Sequence, residues 1–221
     1  MLRYILQMLY PSTCASCKQL VPEKLVFCPA CVAQIKPVVS LLLPINKTYT
    51  LPVHAAASYE EPIRTLILRK FSEDINANRQ LANIMLDIIP SNHLDADFII
   101  PIPLHWRRYA YRGFNQAHEM ARVISKKTNT PIINLLGRKT HTQFQSRLTK
   151  KEKQENVKNV FSIHWKYKLL KILQKAPSLE NKKIIIIDDL CTTGETLKNA
   201  AQIIAHFKPA SISAIVACRR I

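Results

Sequence analysis

The sequence predicts an α/β protein: a mainly parallel sheet with flanking helices, behind a small N-terminal module marked by four cysteines. Three observations carry this expectation. Ile184 to Ile187 is an unbroken β-branched run, the pattern of a strand buried on both faces. From His54 onward, stretches that read as strands alternate with stretches of helical period, which implies parallel pairing. Cys14-x-x-Cys17 and Cys28-x-x-Cys31 stand outside that alternation, near the N-terminus. The expected division is 1–52 for the N-terminal part and 53–221 for the α/β domain, and 221 residues are ample for both.

Taken in order, MLRYILQMLYPSTC reads as a short amphipathic helix packed on the body of the protein. Its apolar stretch is broken by Gln7, it has one basic residue, and no small-x-small cleavage site follows, so it does not fit a signal peptide. No apolar run approaches the ~18 residues of a membrane span. The expectation is therefore a cytoplasmic protein that is not integral to a membrane, with its thiols reduced. Two CxxC pairs ten residues apart can present four thiolates to one tetrahedral ion, which makes Cys14, Cys17, Cys28 and Cys31 candidate ligands of structural Zn²⁺. A redox pair or two disulfides are the alternatives; a reducing compartment and the doubled spacing argue against them. An all-sulfur set leaves no open position for catalysis.

Pro37 to Pro52 is apolar and proline-punctuated, and reads as a linker packed on the next domain. Ala55, Ala57 and Tyr59 suggest a strand, and Ile63, Leu66, Ile67 and Phe71 share one helical face. Arg79 to Ile89 is a second helix ended by Pro90, and Asp97 to Pro103 a buried strand. In LHWRRYAYRGFNQAHEMARVIS the helix starts at about Asn115, after a cationic loop carrying His105, Arg107, Arg108 and Arg112. Such a loop at a strand end can bind pyrophosphate through charge-assisted hydrogen bonds; the alternative is an exposed basic loop of no specific role. Phe114 reads as a staple at the helix start. Pro131 to Leu136 is a further short strand.

From Arg138 to Lys183 there are 13 Lys and Arg against 3 Glu, in a stretch without apolar period. With Phe144, Trp165 and Tyr167 nearby, it fits a groove that follows a phosphate backbone and stacks bases, or else a solvated insertion. A helix from Leu197 to Phe207 and a strand from Ile212 to Ala217 close the chain.

Between these lies IIIIDDLCTTGET, Ile184 to Thr196. Asp188 and Asp189 at the end of the buried strand are acceptors suited to two vicinal ribose hydroxyls. Thr192, Thr193, Gly194 and Thr196 offer N–H and hydroxyl donors at a helix start, which favours a phosphate. The chain has only 3 Gly, and one of them stands in this loop. Thr192 and Glu195 also have capping-box spacing, so the segment can be read simply as a capped helix start. Cys191 is expected to be accessible and Cys218 to lie in the core.

The loop resembles the fingerprint of type I phosphoribosyltransferases. By that resemblance Asp188 and Asp189 contact the ribose of phosphoribosyl pyrophosphate (PRPP). Thr192, Thr193, Gly194, Glu195 and Thr196 wrap its 5′-phosphate, and Mg²⁺ bridges its oxygens. Glu195 departs from the usual small residue, and a carboxylate turned into the loop would repel phosphate. From end to end the chain resembles the ComF/GntX family, through the four cysteines, PIPLHWRRYAYRGFNQA, RKTHTQFQSRLTKKEKQENVKNVF and the final loop.

That likeness implies a type I phosphoribosyltransferase fold and a cytoplasmic competence protein, peripheral at the inner membrane or free of it. Such a protein would handle incoming single-stranded DNA in natural transformation, with competence helicase and DNA-channel partners. PRPP or a phosphorylated nucleotide end would occupy the loop, with His105, Arg107 and Arg108 on pyrophosphate. Arg107, Arg108, Arg112, Asn115, Gln116, Arg138, Lys139, Arg147, Lys150 and Lys151 would take the DNA. A net charge of +17 favours nucleic acid over an unpartnered basic surface or anionic lipid. The alternative is a catalytically active phosphoribosyltransferase of nucleotide salvage or metabolism. No base-binding hood is recognisable in the sequence, although the zinc module could take its place.

Overall fold

A computed structural model of the chain describes residues 12–22, 25–69, 75–138 and 160–220. The expected N-terminal helix, Phe71, Phe144, Lys139, Arg147, Lys150 and Lys151 lie outside those residues. Helix α1 (Pro29–Val32) belongs to the four-cysteine module. Strands β1 (Leu41–Pro44) and β2 (Thr50–Ser58) follow, then helices α2 (Ile63–Arg69) and α3 (Ile75–Ile88) and strand β3 (Phe98–Pro101). Helices α4 (Trp106–Arg112) and α5 (Gln116–Thr128) precede strands β4 (Leu136–Arg138) and β5 (Phe161–Ile163). Helix α6 (Trp165–Ile172), strand β6 (Lys183–Cys191), helix α7 (Glu195–Ala205) and strand β7 (Ser211–Arg219) complete the order.

Five strands form one sheet in the order β1-β2-β7-β6-β3, parallel except for β1, and β4 and β5 form a separate antiparallel pair. The four isoleucines of β6 are all buried and alternate between two layers. Ile185 and Ile187 pack with Met85 of α3 and Met120 and Ile124 of α5. Ile184 and Ile186 pack with Leu197, Ala201 and Ile204 of α7. Covering both faces is what lets a parallel strand be apolar throughout.

Two expectations are corrected here. The stretch read as a packed linker supplies β1, which pairs from Leu41↔Val53 to Pro44↔Thr50. The cationic loop is the short helix α4: His105 caps it, its Nδ1 accepting the Arg107 N–H at 3.2 Å, and Gly113 ends it at φ 74°. No residue of α4 is buried, so it has no apolar period to read.

The four-cysteine module is part of the same core. Cys14, Phe27, Cys28 and Cys31 join the buried cluster containing Leu81 and Met85 of α3. Gln80, buried on α3, reaches across the junction. Its Oε1 accepts from the N–H groups of Val26 (2.8 Å) and Phe27 (2.9 Å), and its Nε2 donates to the Phe27 carbonyl (2.9 Å).

Register places the crevice. β3 pairs with β6 only as far as Pro101↔Ile187, whereas β6 continues along β7 to Cys191↔Arg219. Asp188 and Asp189 therefore project beyond the end of β3. After β3 the chain returns to bridge Ile132 beside Ile99, on the side away from β6, while β6 leads to β7 on its other side. Connections thus diverge between β3 and β6, and open α/β sheets bind ligands at the carboxyl ends of the strands where that happens.

Candidate phosphoribosyl site and zinc-binding module

The loop after β6 is set by one glycine. Gly194 adopts φ 78°, a left-handed conformation that disfavours any side chain, and precedes α7 as its cap. A Cβ at this position would lie 2.5 Å from Leu43 Cδ1 of β1, so the edge strand packs directly against the loop. The capping-box reading of Thr192 and Glu195 is not what forms, since Gly194 is the cap and Glu195 the first residue of the helix. The Glu195 N–H instead lies 3.5 Å from Thr193 Oγ1. Thr192, Thr193, Glu195 and Thr196 are exposed at the mouth of the crevice.

Asp188 and Asp189 are half-buried toward the carboxyl end of β6, and Asp188 Oδ1 accepts the Asp189 N–H at 2.9 Å. Cys191, expected to be accessible, is 2% exposed because β6 runs through it. Burial, and then the Asp188 charge, push its thiol pKa up. Cys218 is buried in the core, as expected.

The arginines converge on the carboxylates. Burial lowers the Arg112 guanidinium below its ordinary pKa, the Arg108 charge adds to this, and the Asp189 carboxylate opposes it. Arg138 behaves likewise, lowered by burial and by Arg108 and opposed by Asp188. Arg108 of α4 is thus within electrostatic reach of both Arg112 and Arg138, and each of these is within reach of one aspartate of β6. Arg138 lies with its Cζ 5.7 Å from the Phe161 ring centroid, and its buried Nε has no hydrogen-bond partner. Buried donors are almost always satisfied. One left open on a guanidinium close enough to Arg108 to feel its charge suits an anion.

Two residues expected on DNA sit at the start of α5. Asn115 caps α5 by accepting the Ala117 N–H (3.1 Å) and donates to the Ile102 carbonyl (2.9 Å), tying the helix start to the end of β3. Gln116 is 2% exposed, within the body of the protein. His105 is buried as the cap of α4, while Arg107 and Arg108 are exposed. Tyr167, expected in a groove, is buried against Phe207 with its hydroxyl donating to the Pro177 carbonyl.

The four cysteines meet as spacing predicts. Their sulfurs all lie within 4.8 Å of one another, none is in a disulfide, and Cys17 Sγ lies 3.6 Å from Cys28 Sγ. Tetrahedral Zn–S bonds of ~2.3 Å require S···S edges of about 3.8 Å, so the donor set fits Zn²⁺. Burial opposes ionisation of Cys14, but N–H groups of Cys28, Cys17 and Ser16 outweigh it and hold its thiol at about 6, which favours the ligating thiolate.

Comparison with known proteins agrees with this geometry. Residues 110–221 match the phosphoribosyl transferase domain family, and residues 5–42 match the double zinc ribbon domain. Competence protein F of Haemophilus influenzae is 29% identical over 66% of this chain and 63% of its own length. Competence protein ComFC of Bacillus subtilis is 31% identical over 72% of this chain and 59% of its own. DNA utilization protein YhgH of Escherichia coli O157:H7 is 24% identical over 93% of this chain and 89% of its own. The chain thus matches under two thirds of the length of the first two relatives. Among the described residues no helix is long and apolar enough to cross a membrane.

Proposed function

The chain belongs to the phosphoribosyl transferase domain family, and on that premise we propose that it is a cytoplasmic competence protein. In this reading it handles incoming single-stranded DNA in natural transformation and carries a PRPP-binding site. The observation that supports the site best is the projection of Asp188 and Asp189 beyond the end of β3 at the diverging strand ends, with the Gly194 loop following and Arg112 and Arg138 within electrostatic reach.

The two aspartates accept from the ribose hydroxyls. Backbone N–H groups and hydroxyls from Thr192 to Thr196 take the 5′-phosphate, and the arginines take the pyrophosphate or an equivalent phosphorylated nucleotide end. Asp188 and Asp189 are the oxygen donors that would face Mg²⁺ carried in with PRPP, which would neutralise part of the phosphate charge. Glu195, exposed in the first turn of α7, adds a negative charge at the rim, and Glu195→Ala should tighten PRPP binding.

The competence role follows the names of the relatives and the +17 charge, which attracts polyanions. Helicase and DNA-channel proteins are the partners this role calls for.

Titration calorimetry with PRPP and Mg²⁺ tests the site. Asp188→Ala with Asp189→Ala should abolish the heat while thermal unfolding stays cooperative; a doubly substituted protein that binds PRPP normally refutes the assignment. Release of pyrophosphate with any of a panel of bases would assign turnover to the same site.

A further inference from the structure

The chain's only two tryptophans occupy matching settings. His105-Trp106-Arg107 opens α4 and His164-Trp165-Lys166 opens α6. In each, the histidine caps the helix by accepting the N–H two residues on, at 3.2 Å. In each, the histidine ring lies beside the tryptophan (centroids 5.7 and 5.8 Å apart) and the next residue sets a cation near the indole, at 5.4 Å for Arg107 and 5.5 Å for Lys166. Both indoles are mainly in solvent, 65% and 63% exposed, so neither is there to fill the core.

Both also line one open cavity of about 1190 Å³, lying between α4 and α5 on one side and β4, β5 and α6 on the other. Among the described residues, Arg122, Arg138, Lys166 and Lys168 line it against a single carboxylate, Glu119, whose Oε1 already pairs with Arg122 Nη1 at 3.0 Å. Tyr109 and Phe114 add two more aromatic rings. The volume exceeds the ~300–1,000 Å³ of ordinary small-ligand sites.

We propose that this cavity seats a segment of single-stranded nucleic acid, with unpaired bases stacked on Trp106 and Trp165 and the intervening phosphates on Lys166, Lys168, Arg122 and Arg138. The proposal rests on the nucleic-acid reading above and assigns it a place. Stacking needs exposed, pre-oriented rings, and cations beside them serve the backbone while polarising the stack. Duplex DNA offers no base faces and is the wrong occupant. Arg138 belongs both to this cavity and to the phosphoribosyl cluster, so the strand path ends beside the PRPP site.

Because the chain has two tryptophans, its own fluorescence reads the test. Trp106→Phe and Trp165→Phe leave one reporter each, and a single-stranded oligothymidylate should quench both. Trp106→Ala and Trp165→Ala should each weaken binding about tenfold, from ~1–3 kcal/mol of stacking per base. The Phe variants, which keep a ring, should recover most of that loss, and circular dichroism confirms that each variant is folded.

Full affinity with no quenching and no effect of the Ala variants would place the strand elsewhere, sinking this proposal while leaving DNA handling intact. No binding of the strand by the unmodified protein would overturn both. Quenching by thymidine monophosphate at the strand's own affinity would make the cavity a mononucleotide pocket and overturn the strand assignment.

Discussion

Gly194 is asked for two things at once, a positive φ and the absence of a side chain, and both are set by its neighbours. Gly194→Ala meets Leu43 at 2.5 Å and also carries the ~1–2 kcal/mol cost of a left-handed residue. The expected result is a lower unfolding midpoint and at least a tenfold loss of PRPP affinity. Adding Leu43→Ala should restore part of the stability, because it removes the collision and leaves the φ penalty. Equal stability of the single and double variants in urea titration would mean that the contact does not matter. The residue was legible in the sequence, since a glycine-poor chain placed one of three glycines here. The reason was legible only in part, because nothing local to the loop announces Leu43. Cys191 was misread for a similar cause: sequence put it in a loop, but β6 outlasts β3 and keeps pairing with β7 through it.

At the scale of elements, the four-cysteine module and α3 are joined by Gln80. Gln80→Ala leaves two buried N–H groups and a carbonyl without partners, each costing ~1–3 kcal/mol, so the loss should be several kcal/mol in chemical denaturation. The same variant should surrender Zn²⁺ to a chelator faster than the parent; unchanged release would show the module to be independent of α3.

A second element-level effect is a pH response. His54 of β2 stacks on His93 with ring centroids 3.9 Å apart, and burial, then the His93 charge, hold its pKa below the ordinary 6.5. His118 and His164 are lowered by burial as well. A group that binds its proton more weakly when folded stabilises the neutral form, so stability is retained above about 6.5 and declines as pH falls through that value toward the lowered ones. Urea midpoints at pH 7.5 and 5.5 should differ in that sense, and His54→Asn should reduce the difference. Of the elements themselves, the period-bearing helices were readable. Helix α4 was not, because a helix without a buried residue has no apolar stripe; its marks were the capping histidine and Gly113, and the repeat of His-Trp-cation at residues 105 and 164 is meaningful only once the fold brings the two together.

Charge acts over the whole molecule. An excess of +17 makes nucleic-acid binding a counterion-release process whose affinity falls with salt. Single strands lose about 0.7 in log affinity per log unit of salt for each phosphate contacted. Four contacts, at Arg122, Arg138, Lys166 and Lys168, predict a log–log slope near −3. A slope near zero in fluorescence titrations would remove the electrostatic part of the reading. The mainly parallel pairing and the four-cysteine cluster followed from pattern and spacing. The antiparallel edge did not: three prolines at 37, 44 and 52 masked four residues of strand.

That edge strand has a practical result for anyone seeking the smallest working fragment. A chain begun at residue 53 forfeits β1, laying bare the hydrogen-bonding rim of β2 and removing the leucine that braces the phosphate loop. Uncovered strand rims recruit other copies. Such an excised domain should sediment as aggregates and should fail to take up PRPP, two defects to which the loss of one short ribbon contributes beside that of the four-cysteine module.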